Sequence, residues 1–210
     1  MGYKTPLLSD MNLTLHKAAL TCLIGINGIG KTTLLRTMAG LQRPLSGAVF
    51  VSNTDIANMP PPQLARQVSI VLTDPIADRL MTVSELVATG RMPYTGIFGR
   101  LSDGDRKIVE DAMERLNITA LADRRIHHAS DGQRQRALLA RAVAQQTPIM
   151  ILDEPTAFLD YRSRAEAMEL LRDFAHADGK SVLASTHEID IAERMADYIW
   201  TAEAGGISCR

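Results

Sequence analysis

The segment Gly25-Ile26-Asn27-Gly28-Ile29-Gly30-Lys31-Thr32 carries the most chemistry for its length. Its spacing fits G-x-x-x-x-G-K-[ST], a loop built to hold phosphate. Glycines let successive backbone N–H groups turn inward and form an anion-binding nest. A helix starting at Lys31 adds its N-terminal dipole and free donors to the same phosphates. Lys31 supplies a mobile cation for β- and γ-phosphates, and Thr32 offers a hydroxyl to Mg²⁺. Asn27, Gly28, Gly30, Lys31, Thr32 and Thr33 are therefore the expected phosphate-side residues of a nucleotide site. A second segment, Ile149-Met150-Ile151-Leu152-Asp153-Glu154, is an apolar run that ends in two carboxylates. On a buried parallel strand it delivers both to the edge of the sheet where ligands bind. Asp153 suits Mg²⁺, which prefers a few carboxylates plus water. Glu154, next along, could polarise a water that attacks the γ-phosphate. Loop and acidic pair together predict a P-loop ATPase or GTPase. A GTPase would want an Asn-Lys-x-Asp guanine reader, and no such tetrapeptide occurs. ATP with Mg²⁺ is the expected ligand.

These residues need a scaffold, and the surrounding pattern supplies one. Leu20–Ile24 is a short apolar run ending at Gly25, a buried strand ahead of the loop. Lys31–Ala39 follows as a helix, with Gly40 at its C-terminal end. Ala48–Val51 and Val68–Leu72 are expected strands, and Pro60-Pro61-Pro62 marks a break and a helix start. From about Asp74 to His128 the character becomes helical, with Val83–Thr89, Asp103–Leu116 and Thr119–Asp123 and no strand between them. Strand patterns return at Ile149–Leu152, Ser181–Ser185 and Tyr198–Thr201, with helices Ser163–Ala177 and Ile189–Ala196. Strands separated by helices predict an α/β fold with a mostly parallel, helix-covered sheet and an inserted helical subdomain.

Composition bounds the function. The chain has 210 residues, enough for one domain with a lobe. Lys plus Arg is 23 and Asp plus Glu 24, a net charge of −1. That balance excludes a nucleic-acid binder acting through bulk positive charge, and also an acidic tail protein. Apolar residues make up 46% and charged residues 22%, a globular composition, and aromatics at 4% leave the core to aliphatic side chains. No run approaches 18 consecutive apolar residues, and Met1 to Lys17 has no basic-then-apolar leader pattern. The two cysteines, Cys22 and Cys209, lack metal-type spacing and are expected as free thiols.

Three further segments resemble one family. Ala129-Ser130-Asp131-Gly132-Gln133-Arg134-Gln135-Arg136, ahead of the apolar helix Ala137–Val143, resembles the signature of ATP-binding cassette (ABC) proteins. Pro155–Asp160 resembles their D-loop, and Ser185-Thr186-His187-Glu188 resembles their switch-histidine segment. The resemblance covers essentially the whole chain. It implies a P-loop NTPase with a RecA-like core, taken as a single domain over 1–210 with a core lobe at about 1–73 and 138–210 and a helical lobe at about 74–137. Thr82–Leu86, Thr89–Tyr94 and Asp105–Leu116 resemble the cassettes of iron-siderophore, haem and vitamin B12 importers. The implied protein is an ATP-hydrolysing importer subunit, peripheral on the cytoplasmic face of the cell membrane and docked on a separate membrane permease. Two copies would stack head to tail, and no nucleic acid is expected as a partner.

The resemblance also distributes roles. Glu154 would be the general base, His187 would contact the γ-phosphate, and Lys31 would act with them. Thr32 and Asp153 would hold Mg²⁺. Tyr3 best matches the adenine-stacking aromatic. Ser130, Gly132, Gln133 and Asp160 would complete the nucleotide site, with Ser130 and Gly132 reaching the other copy's γ-phosphate. The chain also departs from the pattern. Thr73 and Asp74 stand where the family has a Q-loop glutamine, and Gln67 comes too early. Asp131 replaces the first signature glycine and Ala129 the leading leucine. Asp131 is expected to point away from the phosphate, its charge favoured in the first turn of a helix. Short ends suggest a trimmed cassette or a fragment. Thr73 and Asp131 favour an alternative, a regulatory nucleotide-binding module with weak hydrolysis, whereas Glu154 and His187 oppose it. A non-transport ABC ATPase of the chromosome-maintenance type would need a long coiled coil, and no sustained heptad run appears.

Overall fold

The computed structural model describes residues 7–9, 11–73, 80–96, 98–157 and 159–210. Its contacts divide the chain into two units, Met1–Leu72 with Pro148–Arg210, and Thr73–Thr147.

The first unit is built on strands. They are β1 (Ala19–Ile24), β2 (Phe50–Val51), β3 (Thr54–Asp55), β4 (Val68–Val71), β5 (Ile149–Leu152), β6 (Ser181–Thr186), β7 (Tyr198–Glu203) and β8 (Gly206–Cys209). Six form one sheet in the order β4-β5-β6-β1-β7-β8, parallel throughout except for β8. The strands β1 and β6 are buried at every position, as parallel strands covered on both faces require. Leu23, Ile151, Leu183 and Trp200 share one apolar cluster with Leu34 and Leu35 of helix α1 (Lys31–Met38). Helix α2 (Pro61–Leu64) precedes β4, and helix α6 (Tyr161–His176) packs against β1, β6 and α7 (Ile189–Met195). Both cysteines are free, and Cys22 lies buried in β1, where desolvation and then Asp197 push its thiol up to about 12.

Register places the chemistry. Ala19 lies opposite Ser181 and Ile24 opposite Thr186, while Leu152 lies opposite Ala184. The C-terminal ends of β1 and β6 are therefore level, and β5 ends two positions short of them. The residues that follow each strand, Gly25, Asp153 and His187, leave from the same edge.

The second unit is helical: α3 (Val83–Ala88), a 3-10 helix at Thr89–Tyr94, α4 (Asp103–Arg115) and α5 (Asp131–Ala144), with shorter 3-10 turns between. The three α-helices pack pairwise. Each opens on a reciprocal capping box, Thr82 with Glu85, Ser102 with Asp105, and Ser130 with Gln133. Gly90 sits so close to α5 that a Cβ there would stand 2.3 Å from the Arg141 carbonyl oxygen. The neighbouring Arg91 is buried, and its Nη1 donates to the Ala144 carbonyl at 2.8 Å and to Gln146 Oε1 at 3.1 Å. Its Nε donates to Asp105 at 2.8 Å, and its guanidinium lies 4.0 Å over the Tyr94 ring. The Ser102 hydroxyl, then Arg91, hold the Asp105 carboxyl down at about 2.

The mixed α/β architecture with a mostly parallel sheet is the one expected, with differences of detail. The strand expected at Ala48–Val51 is only Phe50–Val51, and it pairs with β3 in a separate hairpin. Ser52 and Asn53 both have positive φ, 49° and 65°, the twist that a two-residue hairpin turn needs. Strand β8 was not expected, because Gly205-Gly206 looks like an ending. Gly205 at φ 94° instead turns the chain back along β7. The helix expected at Thr119–Asp123 is a 3-10 turn, Thr119–Leu121. The helical unit runs to Thr147 rather than to about 137, and so takes in the whole of α5, which packs with α3 and α4.

Candidate functional site

The loop after β1 is shaped by its glycines. Gly25 has φ 156°, and a Cβ there would stand 2.9 Å from the Ala202 carbonyl oxygen. Gly30, at φ 112°, precedes α1 and offers it no side-chain cap. Lys31 is buried, and its Nζ donates to the carbonyls of Gly25 at 2.7 Å and Ile26 at 3.3 Å. The ammonium is thus wrapped inside the loop that its own helix follows.

Thr32, one residue on, donates its hydroxyl to Asp153 Oδ2 at 2.6 Å. Asp153 follows β5 and is only 2% exposed. Its other oxygen, Oδ1, accepts from the Ser185 hydroxyl at 2.7 Å, and its amide donates to the Val71 carbonyl at 2.8 Å. A buried carboxylate needs such donors, since an unpaired one is costly. Glu154 has φ 47°, a left-handed conformation uncommon outside glycine, and its amide donates to Ser185 Oγ at 2.9 Å. Its Oε2 lies 3.8 Å from His187 Nδ1. On the other side of that ring, Nε2 lies 3.4 Å from Glu188 Oε1. Arg164 of α6 pairs with Glu188 and donates to the Leu159 carbonyl at 2.8 Å.

One edge of the sheet therefore gathers the loop from Gly25 to Thr33, Asp153, Glu154 and His187. The arrangement brings together a cation, a hydroxyl paired to a buried carboxylate, and a second carboxylate beside an imidazole. It suits binding a polyphosphate and accepting a proton next to it.

The other predicted site residues are placed by the elements that carry them. Ser130 accepts from the Gln133 amide at 3.2 Å, and Gln133 Oε1 accepts from the Ser130 amide at 3.0 Å, so the two cap α5, with Gly132 in its first turn. Asp131 pairs with Arg134 on its own helix, and Arg134 also donates to the Ala129 carbonyl at 2.6 Å. Asp160 caps α6, accepting from the Ser163 amide at 2.9 Å, and that amide, then the Ser163 hydroxyl, hold its carboxyl below the usual range. Thr73 is exposed. Tyr3 and Asp74 lie outside the described residues.

Sequence reasoning assigned no role to Ser185, Glu188 or Arg164. Ser185 carried a signal, a polar residue following the apolar run Val182-Leu183-Ala184 within a buried strand. Arg164 carried none, because an arginine on a helix is ordinarily solvated.

Comparison with known proteins agrees with this geometry. Residues 8–157 match the ABC transporter family model. An ABC transporter ATP-binding protein of Methanocaldococcus jannaschii is 38% identical over 90% of this chain, and the chain spans 66% of that relative's length. The iron(3+)-hydroxamate import ATP-binding protein of Bacillus subtilis is 37% identical over 96% of this chain and 75% of its own length. A solved dimeric structure of a bacterial ABC transporter cassette aligns with TM-score 0.84 and 27% identity, covering 96% of this chain and 88% of that one. With a matching family model over most of its length and the phosphate loop and acidic pair at one sheet edge, the chain belongs to the ABC transporter ATP-binding family.

Proposed function

We propose that this chain hydrolyses ATP to power an importer of the iron-siderophore, haem or cobalamin type, working on a separate membrane permease. The observation that carries the reading is the alignment of Thr32, Asp153 and Glu154 beside the lysine-filled loop. The similarity to an iron(3+)-hydroxamate import protein supports the cargo class. Among the described residues no helix is long and apolar enough to cross a membrane, which fits a subunit that leaves the crossing to its partner.

The residues fit a nucleotide with Mg²⁺. A hydroxyl and a buried carboxylate meet at 2.6 Å, the hard oxygen donors this ion takes. Thr32 and Asp153 would hold it, and it would offset charge on the phosphates. Lys31 adds its ammonium at the β- and γ-phosphates, with backbone amides from Gly28 to Thr33 around them. Glu154 accepts the proton of a water whose oxygen attacks the γ-phosphorus. The bond to the bridging oxygen breaks, and ADP and phosphate leave. His187, beside Glu154, contacts the γ-phosphate. Two copies stack head to tail, so that Ser130 and Gly132 of one reach the γ-phosphate held by the other while Gln133 and Asp160 help complete the nucleotide site, and the dimeric cassette similar to this chain supports the pairing of two copies.

The test is Glu154→Gln. ATP binding is expected to persist while phosphate release falls 10²-fold or more, the order of a general-base effect. Near-normal turnover in the variant would remove Glu154 from the mechanism.

A further inference from the structure

We propose that Ser185 is a positioning residue for hydrolysis, holding both the Asp153 carboxylate and the Glu154 backbone through one hydroxyl. The proposal rests on the nucleotide-site reading above and goes further within it.

Ser185 lies near the end of β6, which runs between β1 and β5, the strands that lead to the loop and to the acidic pair. It is fully buried, after Val182, Leu183 and Ala184. A hydroxyl in such a place must find partners, and this one has two. It donates to Asp153 Oδ1 at 2.7 Å and accepts from the Glu154 amide at 2.9 Å. The direction is forced: a carboxylate accepts and an amide donates, so the hydroxyl must do both.

Each oxygen of Asp153 is thereby held by one hydroxyl, Oδ1 by Ser185 and Oδ2 by Thr32. With Oδ1 tied from β6, Oδ2 is the oxygen turned towards α1. The same hydroxyl anchors Glu154 where its backbone takes φ 47°, a conformation that persists only when surroundings enforce it. That backbone direction decides where the Glu154 side chain leaves, and its Oε2 lies 3.8 Å from His187. One serine therefore sets the geometry of both carboxylates. A serine retained only for packing would need the right volume but not an oxygen able to donate and accept.

The experiment compares the parent chain with Ser185→Ala and Ser185→Thr. Calorimetry reads ATP affinity with Mg²⁺ and with chelator, and steady-state kinetics read kcat, KM and the Mg²⁺ concentration for half-maximal turnover. Loss of a group that orients a metal ligand typically costs 10- to 100-fold in metal affinity or activity. Ser185→Ala is expected to raise the Mg²⁺ half-saturation about tenfold or more. The same loss should lower kcat about tenfold, with ATP affinity in chelator unchanged. Ser185→Thr, which keeps the hydroxyl, is expected to recover most of that loss. If alanine unfolds the chain, Ser185→Cys, of similar size and weaker hydrogen bonding, is read the same way. Parental Mg²⁺ half-saturation and kcat in a folded Ser185→Ala variant overturn the proposal while leaving the site reading intact. A parent with no Mg²⁺-dependent binding or turnover overturns both.

Discussion

The helices of the two units begin in opposite ways. In the helical unit α3, α4 and α5 each open on a capping box, with a Ser or Thr and a Glu, Asp or Gln answering each other's backbone amides. In the strand unit α1 follows Gly30 and has no side-chain cap, and α7 has none either. A capping box uses up N-terminal donors locally and makes the helix start self-sufficient. A glycine loop ahead of an uncapped helix leaves the N-terminal dipole and amides to an anion, and buries a lysine beside them. The missing cap ahead of α1 is thus a functional mark, and the repeated cap in the helical unit a structural habit. Helix α6 is the exception in the strand unit, since Asp160 caps it.

The largest expected effect tests the uncapped end. Lys31→Ala deletes the ammonium held by Gly25 and Ile26. Charged hydrogen bonds are worth about 1.5–3 kcal/mol, so ATP affinity should fall at least tenfold. Equal affinity by calorimetry would break the contrast, because α1 would then bind phosphate without its lysine or not bind it at all. Gly90→Ala tests the other unit. Its new methyl meets the Arg141 carbonyl, and overpacking of this kind costs about 1–3 kcal/mol. Chemical denaturation should register that loss, with ATP affinity unchanged at temperatures where the variant is folded. A variant as stable as the parent would mean that α5 yields easily there. The smallest effect belongs to Asp131→Gly. Because Asp131 pairs with Arg134 on its own helix, ATP-driven dimerisation in a Glu154→Gln background should change less than about threefold, under 0.7 kcal/mol. A tenfold tightening by sedimentation would show that the carboxylate opposes the bound phosphate.

What could be read from residue order was whatever local chemistry dictates. Glycines at fixed spacing before a lysine, and an apolar run ending in Asp153-Glu154, announce themselves within eight residues or fewer. The strand order was not legible, because β1 pairs with β6 and β7 through partners far along the chain. Ser185 escaped for that reason too. Its importance comes from Asp153 and Glu154, just past the end of the neighbouring strand and 32 and 31 positions away. Arg91 stood within a recognisable segment, yet its burial depends on Asp105, Ala144 and Gln146 meeting around it. β3 and β8 were missed because short strands after tight turns carry too few residues to show alternation.

The pairing of β1 with β6 has a consequence for how the chain acquires its shape. Ala19 must find Ser181, and Thr21 must find Tyr198, so both neighbours of the loop-bearing strand come from the last thirty or so residues. Closing contacts that distant is slow, since the entropy of a long loop is lost before the contacts reward it. The helical unit draws on one uninterrupted segment, Thr73–Thr147, with helix starts specified by adjacent residues. During synthesis it can take shape while the phosphate loop still waits for its flanking strands. ATP, which the finished loop would hold, can then stabilise the strand unit only at the end, when β6 and β7 have arrived.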